Sequence, residues 1–145
     1  MHTVTQKFDQ ICTEQLALCD ALEDIADSLP HDVDSQKSLS LSRALYAQME
    51  RAHQFEEEEL FPLLAGALGA DADSKESFRR LRFEHLQDAC FAEEISEALR
   101  EFAVGENSLS PDALGYLLRG FFVGVRRHVE VERDLVALAL RPDKN

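Results

Sequence analysis

Residues 46–63 read YAQMERAHQFEEEELFPL, and the polar side chains inside that run decide how the chain is organised. Met49, His53, Glu56, Leu60 and Leu63 recur at steps of three and four, the spacing of one face of an α-helix. Leu39 and Tyr46 extend the same face backwards, so one helix is expected from about Ser35 to about Ala67. Pro62 has no amide N–H and its ring crowds the carbonyl four residues earlier. It should therefore bend or fray the last turns before Gly66 and Gly69 end the helix. A histidine and two adjacent glutamates sit where an apolar stripe should run.

Three more segments carry the helical period. The first, about Val4 to Leu29, places Phe8, Ile11, Gln15, Leu18, Leu22, Ile25 and Leu29 on one stripe, between a Thr3–Gln6 capping box and Pro30. The third, about Ser74 to Val104, carries Phe78, Leu81, His85, Asp88, Ala92, Ile95, Leu99 and Phe102, with Asp73 and Glu76 as a capping pair. The last, about Pro111 to Leu140, carries Leu114, Leu117, Phe121, Val125, His128, Val131, Leu135 and Leu138. Ser110 is its N-cap, and Pro111 stands at the first helical position, where a missing N–H costs nothing. No stretch alternates with period two long enough for a strand. Short connections make neighbours antiparallel, so the expected fold is all-α: a single domain over residues 1–145, an up-down-up-down antiparallel four-helix bundle.

Length and charge narrow the function. The chain has 145 residues, room for one domain with a real core. With 15 basic and 28 acidic residues its formal net charge is −13, which repels phosphate backbones and anionic lipid, so neither nucleic acid nor a membrane surface is an expected partner. No apolar run approaches the roughly 18–20 residues that span a bilayer. The opening MHTVTQKF lacks the basic and apolar stretches of a secretion signal, and three cysteines (Cys12, Cys19, Cys90) cannot all pair; both points favour a cytoplasmic protein with reduced thiols.

Written as heptads, the four stripes place Gln15, His53, His85 and His128 at the same kind of core position. Glu57 follows His53 and Glu132 follows His128 by one turn, so two helices carry His-x-x-x-Glu with both side chains on one face; Glu56, at i+3, also faces inward and competes with Glu57. Burying imidazoles with carboxylates costs several kcal/mol per ion unless something compensates, and a bound cation does so. Imidazole and carboxylate without thiolate suit iron, manganese or zinc rather than calcium. The chain also repeats itself: Glu14-Gln15-Leu16 matches Glu84-His85-Leu86 at an offset of 70, and the two His-x-x-x-Glu pairs are 75 apart. Two similar hairpins, each supplying half a site, suit a two-metal centre.

This pattern resembles the hemerythrin-like (HHE cation-binding) family, whose signature is His, His-x-x-x-Glu, His, His-x-x-x-Glu over four helices. The resemblance covers nearly the whole chain: Glu56-Glu57-Glu58-Glu59-Leu60-Phe61-Pro62 after His53 is similar to the family's acidic run and Leu-Phe-Pro element, and His128 to Glu132 is the second pair. It implies a non-haem site of two Fe ions, held by His53, Glu57, His85, His128 and Glu132, and reactive toward O2, NO or peroxide. Where the family has its first histidine, this chain has Gln15. Gln15 either ligates through its weaker amide oxygen, bonds a metal-bound water, or marks a vacant position. Glu50 and Tyr46, one and two turns before His53, and Asp88, one turn after His85, are further candidate ligands that would enrich the site in oxygen donors.

The leading expectation is thus a protein that binds, senses or turns over O2, NO or peroxide, with weak catalase-like peroxide consumption as the candidate enzyme activity. The alternative is a regulatory or interaction bundle with a degenerate or mononuclear site, holding one metal, Zn or Mn included. Ferritin-like iron handling is disfavoured: it needs Glu-x-x-His on two helices, and Glu50-Arg51-Ala52-His53 fits while Val125 stands before His128. Tyr116, Phe122 and Val123 lie off the main stripe of the last helix and make a homodimer or protein partner an expectation.

Overall fold

A computed structural model describes residues 2–69, 72–106 and 108–141. The chain forms α1 (His2–Ser28), α2 (Ser35–Phe55), a π-helical turn (Glu56–Leu60), α3 (Phe61–Leu68), α4 (Ala72–Ala103) and α5 (Pro111–Ala139). The π turn joins α2 and α3 into one rod, so the described residues make four rods and no strand. α1 lies against α2, α2 against α4, α4 against α5, and α5 returns to α1, which closes an up-down-up-down bundle as expected. Among the described residues no helix is long and apolar enough to cross a membrane.

Local chemistry sets the rod ends. Asp34 Oδ1 accepts from the Lys37 N–H at 3.1 Å and Ser110 Oγ accepts from the Ala113 N–H at 3.1 Å, each satisfying an amide with no partner inside its helix. α1 stops at Ser28, two residues before Pro30, and it begins at His2, so Thr3 lies inside the helix rather than capping it. The side chain of Asp73, the expected cap of α4, lies outside the described residues.

The second rod departs from the reading of its sequence in two linked ways. Pro62 does not fray it. The ladder widens instead: the Phe61 N–H donates to the Glu56 carbonyl five residues back, and the Glu56 N–H reaches the carbonyls of both Ala52 and His53. A wider turn directly before Pro62 relieves the crowding its ring would cause at the carbonyl of residue 58. The buried face is also one residue earlier than the sequence pattern suggested. It runs through Ser38, Leu45, Met49, Ala52 and Glu56, then through Leu60, Phe61 and Leu64 beyond the wide turn, while Tyr46 is exposed and Leu63 half-buried. Positions 11 apart share a face after three turns, so Leu45 travels with Glu56, and Tyr46 travels with Glu57.

Apolar layers close both ends of the bundle, with Phe8, Leu22, Leu45, Leu60, Phe61, Leu64, Ile95, Leu99, Leu114 and Phe121 among the buried side chains. Each contributes about 1.5–3 kcal/mol by leaving water. Phe122 belongs to this core rather than to an outer contact face: it is buried beneath the Arg126 guanidinium, 4.8 Å from its ring centre. Only Tyr116 and Val123 of the expected apolar trio remain exposed. Arg126 also pairs with Asp20 at 2.8 Å and Glu23 at 2.9 Å, and Arg119 with Asp27 at 2.7 Å, which fixes the register of α5 on α1. Because Ser110 Oγ holds the first turn of α5, Ser110→Ala should lower stability by about 1 kcal/mol, read as a shift in the urea midpoint at unchanged m-value.

Candidate metal centre

Three rods bring four donors together. The last turn of α2 runs into the wide turn at Glu56, α4 supplies His85, and α5 supplies His128 and, one turn on, Glu132. One donor atom from each of Glu56, His85, His128 and Glu132 lies within 4.8 Å of the others, and all four residues are buried. His85 Nε2 stands 2.9 Å from Glu56 Oε2, 3.5 Å from Glu132 Oε1 and 3.1 Å from His128 Nε2, and His128 Nε2 is in contact with Glu132 Oε1. Glu56 and Glu132 are 0% and 1% exposed, yet their carboxylate oxygens make no hydrogen bond of normal geometry among the described residues. The donor atoms converge on a point without satisfying one another. Fully buried carboxylates in that condition cost several kcal/mol each, and a cation at the convergence is what the arrangement fits.

Two further buried polar groups flank the cluster. The His53 ring stacks parallel on His85 with centroids 4.0 Å apart, and its Nε2 makes no hydrogen bond. Gln15 is 1% exposed with Oε1 unpartnered, and it forms part of the wall of a groove of about 390 Å³ between α1 and α2, beside Lys7, Glu14, Arg51, Ala52 and Glu59. Phe61 covers one side of the cluster, its ring 5.6 Å from that of His85.

Electrostatics divide these groups. Burial opposes a charge on His85, but the neighbouring carboxylates of Glu132 and Glu56 outweigh it and lift the ring to about 9. Burial also opposes a charge on Glu132, and contact with His128, His85 and Glu56 overcomes it, holding that carboxyl at about 2. Glu56, desolvated and beside the Glu132 charge, is pushed well above the ordinary carboxylate range. His53 falls to about 3, first by burial and then by the charges on His85 and His128, and stays neutral. Cys12 and Cys19 are buried thiols pushed up to about 12 by desolvation, which leaves them inert core groups at neutral pH.

Of the residues singled out in the sequence, the structure gathers His85, His128, Glu132 and Glu56. Glu57 is on the neighbouring face, half-exposed, with Oε2 3.8 Å from His85 Nδ1 on the outer side of that ring. Tyr46 and Glu50 lie eleven and seven residues before Glu57, share its face, and are exposed rather than turned to the cluster. One correction covers all three, since the inward face of α2 is the Leu45–Met49–Ala52–Glu56 face. Asp88 is half-buried in a surface cleft with Glu84, Gln87 and Arg127, and desolvation raises its carboxyl. Glu84 was not singled out, although it approaches His128 Nδ1 at 3.2 Å; its one sequence signal is its place directly before His85.

A helical bundle closed around a buried His/Glu cluster defines the class, a helical protein with a cation-binding core. A model of the hemerythrin HHE cation binding domain matches residues 5–139, and the chain belongs to that family. Comparison with curated proteins and with solved structures returns no significant match.

The opposite shifts of two stacked histidines give the metal-free protein a distinctive pH response. The raised His85 contributes stability that is complete below its unfolded value of about 6.5 and is lost as pH climbs through about 9. The depressed His53 contributes stability present above about 6.5 and lost as pH falls toward about 3. In an NMR titration of the metal-free protein, His85 should show a midpoint near 9, and His53 should stay neutral until about pH 3.

Proposed function

We propose that Glu56, His85, His128 and Glu132 hold iron in the bundle core, with His53 and Gln15 completing a two-iron site, and that the protein binds, senses or turns over O2, NO or peroxide there. The observation that carries this reading is the convergence of buried, unpartnered donor atoms from three rods. Membership of a cation-binding family supports it. Imidazole and carboxylate without a thiolate match the preference of iron, and manganese or zinc fit the same donors. When bound, iron supplies electron transfer and Lewis acidity toward a diatomic or peroxide.

The chain's own residues do the rest. Glu56 and Glu132 bring negative charge to offset that of the cations, and being buried they lose no ligand strength to competing water. Phe61, Phe121 and Val125 keep the surroundings dry. Gln15 contributes a neutral amide where an imidazole would bind iron more firmly, so the side of the site nearest α1 is the more open to a small ligand. The groove it lines supplies a path between α1 and α2 from solvent.

A second reading has its own support. The four clustered donors surround a single point, with His53 stacked outside them, which is the donor set of a mononuclear site. Elemental analysis after anaerobic reconstitution with ferrous iron separates the readings. About two irons per chain is expected; about one establishes the mononuclear site, and a folded chain without metal overturns both.

Glu56→Ala should lower metal content far more than Glu57→Ala, because only the Glu56 carboxylate reaches the cluster. Metal must also displace the proton that His85 holds up to about pH 9. Affinity should therefore weaken roughly tenfold per pH unit below that value for one displaced proton, measured by competition with a chelator at pH 6, 7 and 8.

A further inference from the structure

The two ring nitrogens that face each other across the centre, His85 Nε2 and His128 Nε2, are 3.1 Å apart. A neutral imidazole carries one proton, on Nδ1 or on Nε2, and only the bare nitrogen binds a cation. Each ring therefore has to keep its proton on the outer nitrogen if the inner one is to serve as a ligand. For His128 the inner side works against this, because Glu132 Oε1 rests on Nε2 and draws the proton inward. An outer acceptor must outweigh that pull.

The structure provides one. Glu84 Oε2 lies 3.2 Å from His128 Nδ1. Glu84 precedes His85 on α4, and the turn of about 100° per residue carries it off the core face toward α5. There it stands in the surface cleft with Gln87, Asp88 and Arg127, half-buried, clear of the four clustered donors. Glu57 stands in the corresponding place for the other ring, 3.8 Å from His85 Nδ1 and also half-exposed. Each inner imidazole thus has a carboxylate behind it, and the one behind His128 is in hydrogen-bond range.

We propose that Glu84 is a positioning residue of the metal centre: it accepts the Nδ1–H of His128 and so presents a bare Nε2 to the cation, with Glu57 in the same relation to His85 at longer range. The proposal rests on the reading of His85 and His128 as metal ligands. Partners of this kind typically change metal affinity by 10–100-fold without touching the metal.

The test uses the full chain and zinc, a diamagnetic probe, in about 0.15 M salt so that distant charges are screened. Glu84→Ala should weaken zinc binding by 10–100-fold, and Glu84→Gln, whose amide oxygen still accepts the Nδ1–H, should restore most of the loss. Glu94→Ala removes the same charge from an exposed position on the same helix and should change nothing. In the zinc-loaded wild type, the His128 Nδ1–H should give a downfield proton resonance protected from solvent exchange, and that protection should disappear in Glu84→Ala. Tight zinc binding by the wild type with equal affinity in Glu84→Ala, or an unprotected Nδ1–H in the wild type, overturns the role of Glu84 and leaves the metal site standing. Failure of the wild type to bind zinc or iron overturns the metal site, and this inference with it.

Discussion

Two carboxylates, Glu56 and Glu132, meet two imidazoles in the middle of a small apolar core, and every other feature of the bundle serves or tolerates that meeting. Charge so far from water is costly, and the four groups do not relieve it among themselves, since their donor atoms crowd one point without hydrogen-bond geometry. The cost is borne by apolar layers on either side, from Phe8 and Phe61 at one level to Leu22, Leu99 and Leu114 at another. A core of this kind is most comfortable with a cation in it. The metal-free protein settles instead for a proton on His85 and a strongly acidic Glu132.

Helix order, bundle topology and the inward histidines were all legible in the chain, because a period of three and four residues is a strong signal over rods of nearly thirty residues. His85, His128 and Glu132 sat on stripes whose apolar members allowed one inward face, and the structure keeps that face. The second rod was different. Between Leu45 and Glu57 both Leu45–Met49–Ala52–Glu56 and Tyr46–Met49–His53–Glu57 are credible helical stripes, with Met49 common to both. Choosing the latter moves Tyr46, Glu50 and Glu57 inward together. The four consecutive glutamates carry no apolar contrast to break the tie, and hydrogen bonds that run five residues back cannot be read from side-chain spacing.

Glu84 was illegible for another reason. Its partner is 44 positions away on α5, and the contact depends on how α4 and α5 pack rather than on any periodicity within α4. Outer carboxylates behind ligand histidines sit beside the stripe, where sequence reading expects ordinary solvated glutamates. The internal repeat offered a faint hint, since Glu84-His85 answers Glu14-Gln15, and Glu14 lies in the groove beside Gln15 on the opposite side of the bundle. The half carrying Gln15 keeps the glutamate while having lost the imidazole.

The wide turn at Glu56–Leu60 makes chain length, rather than side-chain identity, a controlling variable of this protein. Substituting one glutamate in the run alters one side chain. Deleting one would restore an ordinary turn and rotate everything beyond it by roughly 100°, carrying Phe61 and Leu64 off the core together. The run of four glutamates behaves as a spacer whose count sets the phase between the carboxylate end of the rod and its apolar end. Two homologues with the same ligands but one residue more or less in this spacer would therefore differ in which carboxylate faces the centre, with no ligand residue having changed.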